Sequence, residues 1–176
     1  MGTCRVRLVS RDGGYVELRP VSYQAEMPEL VTGQDDDDSD EWLVVQGSVR
    51  LGDGREWTFV QPCLTTLEAQ RLAVWLANAG AGRIAPSPAS LPERELLCFT
   101  EPNIAFSIAA LSAERVSIRV HFSHESMPPW QPHHDWPDYH AYFVVLDIST
   151  TDLTAAARQW DRHLHAFPAR ASRHSQ

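Results

Sequence analysis

The chain has 176 residues, 43% of them apolar, and a formal net charge of −8 from 23 Asp and Glu against 15 basic residues, all arginine. That length and apolar content are expected of one soluble domain spanning residues 1–176 with a full core. The acid excess repels polyphosphate and anionic lipid, which argues against direct nucleic-acid binding and membrane-surface attachment. No window approaches the roughly 18 apolar residues of a membrane span, and the N-terminal residues form no apolar secretory stretch, so a cytoplasmic location is expected. Cys4, Cys63 and Cys98 are odd in number and lack C-x-x-C spacing, which fits plain thiols better than a disulfide framework or a zinc knuckle.

In chain order, residues 5–10 and 15–19 alternate apolar and polar side chains around Asp12-Gly13-Gly14, the pattern of a β-hairpin. Residues 25–41 are polar, contain Pro28 and Gly33, and read as a long loop. A second hairpin is expected over residues 42–51 and 56–60, joined by Gly52-Asp53-Gly54-Arg55. Pro62-Cys63-Leu64 should then break the strand, and Thr65 with Glu68 forms the capping-box pattern that opens a helix. That helix is expected to reach Asn78, with Leu64, Leu67, Leu72, Trp75 and Leu76 inward and Glu68, Gln70 and Arg71 outward, and to stop at Gly80.

Residues 79–93 are rich in Gly, Ala, Pro and Ser and form a surface connection. Three strands are expected next, over residues 96–100, 104–111 and 116–123, with the even-numbered Val116, Ile118, Val120 and Phe122 facing a core. Residues 127–138 hold Pro128, Pro129, Pro132 and Pro137, which exclude a helix or a central strand. Residues 139–148 read as a strand buried on both faces near Phe143-Val144-Val145-Leu146. A C-terminal helix over residues 152–167 sets Leu153, Ala157, Trp160, Leu164 and Phe167 on one stripe, and residues 170–176 form a tail. The expected fold is α+β: a mostly antiparallel sheet of about eight strands with two amphipathic helices packed on it.

Six of the seven residues 35–41 are acidic: Asp35, Asp36, Asp37, Asp38, Asp40 and Glu41. Such a run requires solvent, a metal or a basic partner. An EF-hand register starting at Asp35 places Asp40 where position 6 needs Gly and Gln46 where position 12 needs Glu, so no calcium loop is read here. His133, His134 and His140 invite a metal-dependent hydrolase reading, but adjacent histidines on extended backbone point opposite ways and no H-x-H or H-E-x-x-H pattern accompanies them. No metal or other cofactor is expected. The exposed aromatics of that Pro-rich segment, Trp130 and Trp136, suit protein contact instead. His163 and His165 are placed to favour the C-terminal helix dipole. Nucleophile and phosphate-loop motifs are missing, and Cys63, flanked by Pro62 and Leu64, reads as a buried thiol. No catalytic residue is assigned, and a binding protein is favoured over an enzyme, with a structural domain as a further alternative.

Several segments, taken in order, form one further pattern. They are Tyr23-Gln24 and the acidic stretch into Asp40-Glu41-Trp42-Leu43-Val44-Val45-Gln46-Gly47, then Trp57-Thr58-Phe59 with Pro62-Cys63-Leu64. Phe99-Thr100-Glu101-Pro102-Asn103 and Phe167-Pro168-Ala169-Arg170 complete the set, and together these resemble the WapI-type bacterial immunity proteins, protectors against WapA-like contact-dependent toxins. The four consecutive aspartates and the Pro-rich stretch around Ala85 depart from the family pattern. The resemblance implies a non-enzymatic, cytoplasmic protein that neutralises a cognate basic toxin domain, commonly a nuclease. On that reading the partner-binding residues are Asp35, Asp36, Asp37, Asp38, Asp40, Glu41, Trp130 and Trp136. Trp42 is assigned to the core, and Pro62, Cys63, Leu64, Glu101 and Pro102 to the scaffold.

Overall fold

The computed structural model describes residues 5–27, 41–89, 96–132 and 140–169. Seven strands form two antiparallel sheets, and two helices complete an α+β fold. The first sheet has the order β1 (Val6–Val9), β2 (Tyr15–Tyr23), β3 (Trp42–Arg50) and β4 (Glu56–Thr65); helix α1 spans Thr66–Gly80. The second has the order β5 (Ile104–Leu111), β6 (Arg115–Phe122) and β7 (Phe143–Ser149), followed by helix α2 (Thr150–Leu164). The eighth expected strand, at residues 96–100, is absent. Only the Leu97–Phe106 bridge forms there, because Phe99 turns into the core instead of extending a ladder.

A hairpin turn fixes the register of β3 on β4. Gly54 takes φ +90°, Leu51 N–H donates to the Arg55 carbonyl at 2.8 Å and Gly54 N–H donates to the Leu51 carbonyl at 3.0 Å. This glycine-bulged turn sets Val49 opposite Trp57 and Gly47 opposite Phe59. Gly47 is required by close approach: a Cβ there would lie 2.1 Å from the Phe59 ring. Pro62 does not end β4, which continues to Thr65. A proline is tolerated because β4 lies at the end of the sheet order, beside a bulge between Leu43 and Val44.

α1 opens on the expected capping box. Thr65 Oγ1 accepts from Glu68 N–H at 3.2 Å, and a Glu68 carboxylate oxygen accepts from Thr65 N–H at 2.9 Å. Glu68 is not outward as expected: it is 6% exposed, and its second oxygen accepts from Thr100 N–H at 2.7 Å and from the Thr100 hydroxyl at 2.8 Å. Leu67, expected inward, is instead 60% exposed, since the apolar stripe facing the core runs through Ala69, Leu72, Ala73 and Leu76. The helix ends at Gly80, where the stop was expected, and the left-handed Gly82 follows.

The helices pack on each other at Gly80, where a Cβ would meet Thr154 Oγ1 at 2.8 Å, and at Trp160, whose indole N–H donates to the Ala69 carbonyl at 2.8 Å. α2 begins at Thr150, capped by Ser149, whose hydroxyl accepts from Asp152 N–H. One hydrophobic cluster draws on both sheets and both helices, with Trp160, Phe106 and Phe122 among its largest fully buried members.

The sheets join edge to edge. Arg11 N–H donates to the Asp147 carbonyl at 3.0 Å and Asp147 N–H donates to Ser10 Oγ at 3.1 Å, while within the second sheet Arg115 Nε holds the Asp147 carboxylate by donating to Oδ1 at 2.8 Å. β7 is not buried on both faces, because Val145 is 47% exposed, whereas β6 is: Arg119 and His121 are buried along with Ile118 and Val120.

Replacing Glu68 with Ala removes a carboxylate that three hydrogen-bonding groups need, the Thr65 N–H and the N–H and hydroxyl of Thr100, and is expected to cost about 2–4 kcal/mol of unfolding free energy. A urea midpoint measured at constant m reads that loss, and Thr65→Ser, which keeps the hydroxyl, stays within about 0.5 kcal/mol of wild type.

Candidate interaction surface

The acidic residues Asp35, Asp36, Asp37, Asp38 and Asp40, together with Trp136, His133 and His134, lie outside the described residues. Glu41 is described. It is half-buried, and its carbonyl accepts from Thr66 N–H at 3.0 Å, which fixes the mouth of the acidic run against the junction of β4 and α1. Trp42, half-buried, pairs with Thr65 across the same corner.

Trp130 sits at the opposite end of β4. It remains 40% exposed while standing edge-on to Trp57, with centroids 5.6 Å apart and an interplanar angle of 86°. Trp57 is anchored by its indole N–H, which donates to the Ser126 carbonyl at 2.9 Å, and by edge contacts with Phe122 and Tyr142. The Arg55 guanidinium lies 5.4 Å from the Trp130 centroid and pairs with Asp53 at 2.8 Å. Hydrogen bonds from Arg55 hold the Asp53 carboxyl below its usual range, and burial raises the nearby Tyr142 phenol above its own. Trp, Tyr and Arg on a packed base are the residue types that dominate protein interfaces. Of this group composition singled out only Trp130. An Asp-x-Arg turn two residues before Trp57 was the available signal for Asp53 and Arg55.

On the far face of the second sheet, Ser107 Oγ lies 3.0 Å from His121 Nε2, and His121 Nδ1 lies 2.7 Å from the His140 carbonyl. A carbonyl only accepts, so Nδ1 carries the proton and neutral Nε2 accepts from the serine. His140 is buried beside this pair, its ring 6.3 Å from that of His121. Burial, then the charges of His121 and His124, push His140 down to about 4; burial lowers His121 as well, with Arg119 adding to it. His163, expected to interact with the helix dipole, is buried on α2 and lowered chiefly by burial. Burial drives the Cys63 thiol well above its ordinary range, leaving no thiolate at neutral pH.

Among the described residues no three His, Cys, Asp or Glu side chains are grouped to hold a metal ion, and no helix is long and apolar enough to cross a membrane. An open apolar groove of about 560 Å³ runs along α1, lined by Leu67, Val74, Trp75 and Leu97 with Gln70, Arg71 and Asn78.

The fold places these groups in a protein of the immunity-protein class. The profile of the Immunity protein WapI-like family matches residues 7–168, nearly the whole chain, and the chain belongs to that family. Among curated proteins none matches.

The histidine environment sets a pH dependence. A His140 pKa near 4 when folded, against 6.5 when unfolded, means that the unfolded chain takes up the proton first as pH falls. Stability is therefore full above about pH 6.5 and declines toward pH 4, by up to about 3 kcal/mol from this group. Denaturant midpoints between pH 7.5 and 4.5, paired with the NMR titration of the His140 ring, test it; a ring titrating near 6.5 contradicts the assignment.

Proposed function

We propose that the chain binds a cognate toxin domain with a basic surface, a nuclease being the class that fits best, and neutralises it in the cytoplasm through an acidic surface. The observation that carries this reading is the family match over residues 7–168. The formal charge of −8 supplies the rest of the argument. A nuclease presents a cationic cleft to phosphate, and an acidic inhibitor competes for that field and gains association rate from steering.

In this reading Asp35, Asp36, Asp37, Asp38, Asp40 and Glu41 provide the long-range field. Trp130, with Trp136 in the same Pro-rich segment, provides short-range anchoring. The division follows from physics: exposed carboxylates act mainly on the on-rate and are screened by salt, whereas a half-exposed tryptophan on a packed base acts on the off-rate.

Co-expression with the toxin domain encoded beside its gene should restore growth, and the purified pair should form a stable complex. Asp→Asn replacements at positions 35–38 and 40 are expected to slow association about tenfold or more at low salt and to flatten its salt dependence. Trp130→Ala is expected to raise the dissociation rate by about 10- to 100-fold while the fold is kept. Binding that keeps both its affinity and its salt slope after the acidic replacements contradicts the electrostatic mechanism.

A further inference from the structure

We infer that the outer edge of β4 is a docking strand, onto which an extended, basic segment of the toxin domain adds as a fifth strand of the first sheet. This rests on the toxin-binding reading above and assigns the contact to a particular part of the fold.

The ladder geometry identifies the free groups. The Leu51–Arg55 closure is a hydrogen-bonded pair, so alternation along the hairpin makes Val49–Trp57, Gly47–Phe59 and Val45–Gln61 hydrogen-bonded pairs as well. Glu56, Thr58 and Val60 occupy the alternate sites, and their N–H and C=O groups point away from β3. β4 ends the strand order of its sheet, and among the described residues no backbone hydrogen bond engages these outward groups. Their side chains are exposed too, alternating with buried Trp57 and Phe59.

Sheet edges are usually closed off by a covering segment, a proline, a bulge or a lysine. The other edges here are closed: β1 and β7 meet at Ser10, Arg11 and Asp147, and β5 is bridged by Leu97 and receives Ser87 N–H on its Ile108 carbonyl. On β4 the proline and the bulge sit only at the α1 end, at Pro62 and opposite Leu43; among the described residues the stretch from Glu56 to Val60 carries neither. No lysine is present anywhere in the chain. The open stretch is also bracketed by the groups already singled out: Arg55 and Trp130 at its start, and Glu41, held to Thr66, beyond its end.

These features select the occupant. Outward backbone groups call for an extended strand, exposed Thr58 and Val60 suit β-branched neighbours, and Glu56 with the net charge of −8 favours basic side chains on that strand. A second copy of this strongly acidic chain would set Glu56 and its charge against themselves.

The test is amide hydrogen exchange on the intact protein, free and bound to the toxin domain whose growth arrest it suppresses. The Thr58 and Val60 amides should exchange rapidly in the free protein and at least about tenfold more slowly in the complex, with Trp57 and Phe59 protected in both. Thr58→Pro, which removes an outward donor while sparing the β3 ladder, should weaken binding about tenfold or more, and Thr58→Ala should bind like wild type. A tight complex whose protection falls on the α1 groove, leaving Thr58 and Val60 unchanged, overturns the pairing while leaving the proposed function standing. Slow exchange of these two amides in the free protein at high concentration assigns the edge to a second copy and overturns it likewise. Failure to find any toxin domain that the chain suppresses overturns both.

Discussion

The buried carboxylate of Glu68 is the constraint on which the arrangement of the two sheets turns. One of its oxygens closes the N-terminus of α1 on Thr65, and the other takes both the N–H and the hydroxyl of Thr100, a residue 32 positions further on. A charge this deeply buried is tolerable only when its acceptor sites are filled and a helix N-terminus faces it. Satisfying it locks three things together: the end of β4, the start of α1 and the segment leading into β5. Thr66 N–H then holds Glu41, so the entry into β3 is set by the same corner.

From that corner the first sheet presents two unlike surfaces. Its inner side supplies Val45, Val49, Trp57 and Phe59 to the common core. Its outer margin offers an aromatic and guanidinium cluster at one end and Glu41 at the other. Under the toxin-binding reading proposed above, such a division would let rigid anchors lose little entropy on association while charge acts at a distance.

Much of the fold is legible in the sequence because local signals agree. The hairpin turns at Gly13 and Gly54, the Thr65 cap and the alternation of Val116, Ile118, Val120 and Phe122 each have a period or a turn chemistry of their own. What is not legible depends on partners distant in sequence. Glu68 looks like a solvent-facing helix residue until Thr100 is brought to it, and Leu67 looks like core until the neighbouring stripe is seen to be the buried one. Arg119 and His121 read as polar and outward, yet the Ser87 carbonyl and the backbone of His140 fold over them. For the candidate surface, composition marks Trp130 and Glu41, but the open edge between them is a property of strand order, which no single stretch of sequence carries.

The seam at Ser10, Arg11 and Asp147 joins residues as much as 137 positions apart in the chain. Because β1 is the outermost strand of its sheet and finds its other neighbour only when β7 arrives, an emerging chain cannot close its core until α2 has left the ribosome. The scaffold is therefore completed only once β1 and α2, 137 residues and more apart, have both been made.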